Sequence, residues 1–170
     1  MALKLNIGSS KVFRKNPINP NLLTPNQATC GRALGASTGF LTLNSVGQLT
    51  YDTNVFPNGA IKVVGKVGGG ENSAEAAYNA LSINDGIPHT FIVQCQSDMA
   101  NHFIIFLLSA SDWSTIVNSG RVAATGSPQT ITIHGTPKSG ETTLLWIVRT
   151  DDNNGETFYI KDMILREGTY

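Results

Sequence analysis

Twelve carboxylates, three histidines and two cysteines are the groups through which this chain would do chemistry. Hydrolysis of a glycosidic bond needs two carboxyl groups facing one cleft. The acids are Asp52, Glu71, Glu75, Asp85, Asp98, Asp112, Glu141, Asp151, Asp152, Glu156, Asp162 and Glu167. Nearly all fall in expected loops or at element ends, where acids are ordinarily solvated, and no two share a strand face. His89, His102 and His134 have neither HxH nor HExxH spacing, so they read as strand-end residues. Cys30 and Cys95 lack a CxxC partner, which leaves a zinc site unsupported. They read as free thiols of a reducing compartment, with a single disulfide as the alternative. GASTG (35–39) is not a G-x-S-x-G elbow, and VGGGEN (67–72) lacks the Lys-Ser/Thr of a phosphate loop. No catalytic constellation emerges, and the expectation is a non-enzyme that needs no cofactor.

Groups suited to sugars are easier to find. Sugar recognition uses aromatic faces for pyranose C–H groups, with amides, acids and guanidinium for hydroxyls. Trp113 sits among Ser, Asp and Thr in SDWST, where a core role is least expected, and is the first candidate. Plugging one end of the fold is its alternative role. Trp146, inside LLWIV, reads as core. In HTFIVQCQS (89–97) the alternation puts Thr90, Ile92, Gln94 and Gln96 on one face. Gln94 and Gln96 then form a polar floor, or an ordinary solvent-facing surface. Arg149, near the end of TTLLWIVRT, either reaches a groove or pairs with a loop acid. Tyr51 is a further candidate, as is Tyr78.

The elements that must carry these residues are strands. A chain of 170 residues with zero formal net charge has enough apolar sequence for a core and no basic cluster for a phosphate backbone. Nucleic acid is therefore not an expected partner. Nor is a membrane, since no apolar run approaches a span. MALKLNIGSS has no apolar core of a secretion signal. Strand patterns recur at 2–7, 11–14, 29–34, 39–44, 48–52, 60–67, 89–97, 102–110, 120–126, 129–135, 142–150 and 157–165, punctuated by turn residues. Two short helices are expected. One lies in ENSAEAAYNALSI (71–83), where Ala74, Ala77, Tyr78 and Leu81 share a helical face, and one in SDWSTIVNSG (111–120). The fold class is all-β, a two-layer antiparallel β-sandwich of jelly-roll type. Pro17, Pro20 and Pro25 read as a stiff connector over 17–25. Residues 1–16 then form a small anchoring or oligomerisation segment and 26–170 the main domain. The alternative is that 1–16 adds one more strand.

The last strand, FYIKDMILREG (158–168), alternates as Tyr159, Lys161, Met163 and Leu165 on one face and Phe158, Ile160, Asp162 and Ile164 on the other. With NPNLLT (19–24) it resembles the two ends of carbohydrate-binding-module jelly rolls, in which an Asn-Leu-Leu segment opens the domain and an acid-bearing strand ending in Glu-Gly closes it. NIGSSKVFRKN (6–16) resembles strand-forming units at the starts of tail and baseplate proteins of phages that infect Gram-positive bacteria. The resemblance implies a non-catalytic, receptor-binding virion protein for cell-surface polysaccharide, made in the host cytoplasm and carried in a tail, fibre or baseplate. It implies other virion proteins as partners and a homo-oligomer, such as a trimer. It also implies a structural calcium ligated by Asp162. The neighbouring Asn19, Asn21 and Asn26 supply amide oxygens but no second acid, and calcium draws several carboxylates into its oxygen shell. The other reading of Asp162 is a hydrogen bond to backbone or an exposed sheet edge. Two other functional readings are a decoration protein of a capsid or tail without a sugar site, and a binding module of a polysaccharide hydrolase.

Overall fold

The computed structural model describes residues 19–29, 40–41, 48–65, 74–81, 83, 85–97, 102–150 and 157–169. The strands expected over 2–7, 11–14 and, beyond Thr29, 29–34 lie outside the described residues, as does the segment 1–16.

Eleven strands fill the described chain. They are β1 (Phe40–Leu41), β2 (Gln48–Asp52), β3 (Ala60–Val64), β4 (Ala74–Leu81), β5 (His89–Ser97), β6 (His102–Ser109), β7 (Thr115–Asn118), β8 (Val122–Ala123), β9 (Gln129–Gly135), β10 (Thr143–Thr150) and β11 (Thr157–Glu167). One sheet runs β1-β4-β10-β6-β7, with β8 also on β6; the other runs β2-β3-β11-β5-β9. Every pairing is antiparallel. The result is the expected two-layer jelly-roll sandwich. Its core takes Ile61, Val63, Phe91, Val93, Cys95, Ile131, Ile133, Phe158, Ile160, Met163 and Leu165 from the second sheet, and Ile105 and Leu107 from the first. Full burial of each large side chain contributes about 1.5–3 kcal/mol.

Both expected helices are strands. Residues 74–81 form β4, held between β1 and β10. Residues 111–120 form a turn followed by β7, on the open side of β6. Each is too short to be helical by itself, and each has a neighbouring strand to supply its backbone hydrogen bonds. The helix that does form is one turn, α1 (Pro25–Ala28). Proline at its first position suits the fixed φ and missing N–H of a helix start.

The alternation expected along the last strand breaks in the middle. Ile160 pairs with Cys95 but Asp162 pairs with Gln94, so Lys161 is the extra residue of a β-bulge. The bulge reverses the faces beyond it. Phe158, Ile160, Met163 and Leu165 are all buried, while Asp162 and Ile164 turn outward. Asp162 therefore does not stand between Ile160 and Ile164. The bulge lets one long strand place all four apolar side chains in the core.

NPNLLT docks along the end of this strand. The Leu22 amide donates to Leu165 O at 2.8 Å, and Asn19 Nδ2 donates to Glu167 O at 3.0 Å. Asn21 Oδ1 accepts from the amides of Leu165 (3.0 Å) and Leu23 (3.2 Å), and its Nδ2 donates to Met163 O at 3.3 Å. Leu23 enters the core, 7% exposed. Both family-like ends of the chain thus meet at β11.

Candidate functional site

The outer face of the five-stranded sheet is laid out by register. One row across it is Thr132, Ile92, Ile164; the next is Thr130, Gln94, Asp162. Clean alternation in QTITIHG sends Ile131 and Ile133 inward and leaves the threonines exposed. The bulge at Lys161 brings Asp162 into line with Gln94. Ile92, Gln94, Thr130, Asp162 and Ile164 line a recess of about 220 Å³. Two isoleucines offer an apolar surface, and an amide, a hydroxyl and a carboxylate stand beside them. Between them they supply donors and acceptors for hydroxyl groups and a surface for C–H groups. Asp162 is the one carboxylate of this lining, so the lining lacks the acid pair of a glycosidase.

Beside Asp162 stand an aromatic pair and a lysine. Tyr159 lies opposite Gln96 and Lys62. Its ring meets Phe56 edge-on, with centroids 6.3 Å apart. Lys161 Nζ stands 5.6 Å from the Phe56 centroid and 3.7 Å from the Asp162 carboxylate. Phe56 belongs to the turn after β2, whose start is fixed by Asp52. The Asp52 carboxylate accepts from the Asn54 and Val55 amides and from Asn54 Nδ2. Burial pushes this carboxyl upward, but those hydrogen bonds and nearby Lys62 outweigh it and hold the group below its ordinary range.

The residues singled out in the sequence are distributed over the molecule. Gln94 lines the recess with Asp162. Gln96 is on the same face one step along β5, with its Nε2 donating to Gly126 O at 3.0 Å. Tyr51 pairs with Ile61, out of phase with the outward row of Thr50 and Lys62. Its ring lies against Gly59, whose φ of +89° and close tyrosine leave no room for a Cβ. Arg149 is in the other sheet, paired with Phe103 and Ala74; its side chain lies outside the described set, as do those of Tyr78 and Trp146.

Trp113 is far from the recess in sheet order, in the turn between β6 and β7. It is 54% exposed and has φ 60°, a conformation that costs a residue with a Cβ on the order of 1–2 kcal/mol. A local network holds the turn. Trp113 N donates to Ser109 O (2.9 Å), Ser109 N to Ser114 O (2.9 Å) and Ser114 N to Asp112 Oδ1 (2.9 Å). Lys138 Nζ reaches Asp112 Oδ2 at 3.3 Å, and Ser109 Oγ donates to Glu141. The Ser114 hydrogen bonds, with Lys138 behind them, hold the Asp112 carboxyl well below the usual range.

Asn21 spends its side chain on the backbone of β11 and of Leu23, and Lys161 flanks the Asp162 carboxylate. Among the described residues no three His, Cys, Asp or Glu side chains gather as metal ligands. Cys95 is a free thiol, fully buried and pushed up to about 12 by that burial; Cys30 lies outside the described residues.

The residues missed in the sequence are Thr130 and Ile164. Alternation along QTITIHG puts Thr130 on the face opposite Ile131 and Ile133. Its meeting with Gln94 required the β5–β9 register, and the outward turn of Ile164 with Asp162 required the bulge.

No family model matches the sequence, and no curated protein matches it. Solved structures do match. A family 4 carbohydrate-binding module superposes with a TM-score of 0.58 at 14% identity, covering 76% of this chain and 95% of its own. The C-terminal family 22 carbohydrate-binding module of a Clostridium thermocellum protein gives 0.59 at 13% identity, covering 85% and 97%. Tailspike protein 4 of bacteriophage CBA120, in its enzymatically active domain, gives 0.56 at 9% identity over 87% of this chain and 21% of its own. The shared property is the β-sandwich fold.

Proposed function

We propose that this chain is a non-catalytic carbohydrate-binding domain that holds a polysaccharide in the recess on the outer face of the five-stranded sheet. The carrying observation is the recess itself, where Gln94, Thr130 and Asp162 stand around Ile92 and Ile164 on a regular sheet. A sheet presents such groups on rigid backbone, so little entropy is lost on binding. Gln94 and Asp162 read hydroxyls, and the isoleucines meet ring C–H faces. Similarity of fold to carbohydrate-binding modules supports the class.

The setting we propose is a phage virion, where the domain attaches to cell-surface polysaccharide and repeated copies supply avidity. The fold it shares with a stretch of a phage tailspike chain supports this reading. A second reading, a module of a polysaccharide hydrolase, is favoured by the fold it shares with a stretch of a Clostridium thermocellum xylanase chain that carries a family 22 module. The test is binding of the tagged protein to Gram-positive cells, their extracted wall polysaccharides and xylan, alongside Gln94→Ala and Trp113→Ala. Saturable, competed binding lost in Gln94→Ala supports the recess. Selectivity for wall polymer over xylan supports the virion setting, and the reverse supports the hydrolase module.

A further inference from the structure

Beyond Ile164 on the same face stands Arg166, opposite Thr90 and in the row next to the recess. It is half-buried, and its Nε is wholly covered without a hydrogen-bond partner. An orphaned donor on a cation is costly, because a charged group must give up water without compensation. The surroundings do not relieve it. Thr90 is 1% exposed, and its hydroxyl donates to Gly168 O at 2.7 Å. With its one hydrogen committed there, Thr90 Oγ1 accepts from His134 Nδ1 at 3.0 Å, which turns His134 Nε2 outward. Among the described residues, the row beside the recess therefore holds an arginine and a histidine and no carboxylate.

Among the described residues the charge on this face is unbalanced. Lys62, Lys161 and Arg166 share the outward side of β3 and β11, and Asp162 is the acid set among them on β11. Asp52, near Lys62 at the end of the edge strand, is occupied by its own turn. Asp162 and Arg166 are four steps apart along the strand, about 13 Å at the usual rise. A short stretch of polysaccharide spans both.

We infer that the recess takes an anionic glycan, with Arg166 binding a carboxylate or phosphate on the chain while Gln94 and Asp162 read hydroxyls farther along. This rests on the proposed sugar site and names the substrate class for it. Guanidinium matches both anions through paired N–H donors, which a lysine ammonium does not reproduce. Nε itself is covered, so the ligand meets the terminal N–H groups of the guanidinium.

The test uses four polymers: polygalacturonate, its methyl-esterified form, a glycerol-phosphate wall polymer and neutral xylan. Wild type, Arg166→Gln, Arg166→Lys and Gln94→Ala are compared. The expected result is binding to polygalacturonate or to the glycerol-phosphate polymer, and which of the two identifies the anion. Esterified polymer and xylan should bind at least about tenfold more weakly. Arg166→Gln should remove that preference and Arg166→Lys restore only part of it. In NMR, the Arg166 Nε–H resonance should move with galacturonate or glycerol phosphate and stay with galactose. Equal affinity for esterified and free polygalacturonate, or anion binding unchanged in Arg166→Gln, overturns the inference. If Gln94-dependent binding of xylan survives, the sugar site stands and its acidic specificity falls. Binding to none of the four overturns both.

Discussion

Gln94 and Asp162 carry the account of the site, and each makes a separable prediction. Gln94→Ala removes an amide from a half-exposed position without opening the core. It should weaken polysaccharide binding about tenfold and leave Tm within the small range of surface substitutions. Affinity measurement and thermal melting of the same preparation check both. Asp112 makes a prediction about Trp113. Its carboxyl is depressed in the folded state, chiefly by Ser114. A depressed acid contributes stability that is full above its unfolded value, about 3.9, and is lost as pH falls through the lower folded value. The Ser114 amide resonance, which reports the 2.9 Å bond to Asp112, should therefore titrate below that ordinary value. A midpoint at or above it contradicts the network described for the turn. Trp113 was conspicuous in sequence because it sits among polar residues, and that inference of exposure was sound. What sequence could not supply was its distance from Gln94, which depends on which sheet each strand joins.

Strands were legible where composition and alternation agreed. QLTYD, HTFIVQCQS and QTITIHG form β2, β5 and β9 with the limits expected. Residues 74–81 misled because alanines at helical spacing mimic an amphipathic face, yet the partner strands β1 and β10 decide the backbone. The bulge in β11 was illegible because a single inserted residue leaves strand composition unchanged while reversing every face beyond it. Its consequence is testable. Deleting Lys161 leaves Ile160 opposite Cys95 and Asp162 opposite Gln94 in strict alternation, with Met163 and Leu165 still inward, so the variant should keep a cooperative melt; loss of that melt would contradict the bulge. Asn21 tests the docking of the N-terminal segment. Asn21→Ala leaves the Leu165 amide without its side-chain acceptor. A cost of about 1–3 kcal/mol should lower Tm by roughly 3–10 °C. No change in Tm would show that the segment contributes nothing to the sandwich.

For the molecule as a whole, one core joins the two sheets, and Cys95 reports on it. The thiol is fully buried and raised to about 12, so native protein should not present a reactive thiolate. In a Cys30→Ser background, labelling by a thiol-specific reagent should follow global unfolding in urea; labelling well before the transition would show a looser sandwich. The neutral, weakly charged composition speaks against nucleic acid, but it conceals the cations that folding gathers on one sheet face, Lys62, Lys161 and Arg166 among the described residues. The most direct test of the central claim is to titrate wall polysaccharide fragments, polygalacturonate and xylan oligosaccharides into isotopically labelled protein and map the residues that respond. The expected shifts centre on Ile92, Gln94, Thr130, Asp162 and Ile164, with the Trp113 indole unmoved. Shifts centred on the 110–114 turn, or none with any of these sugars, would contradict it.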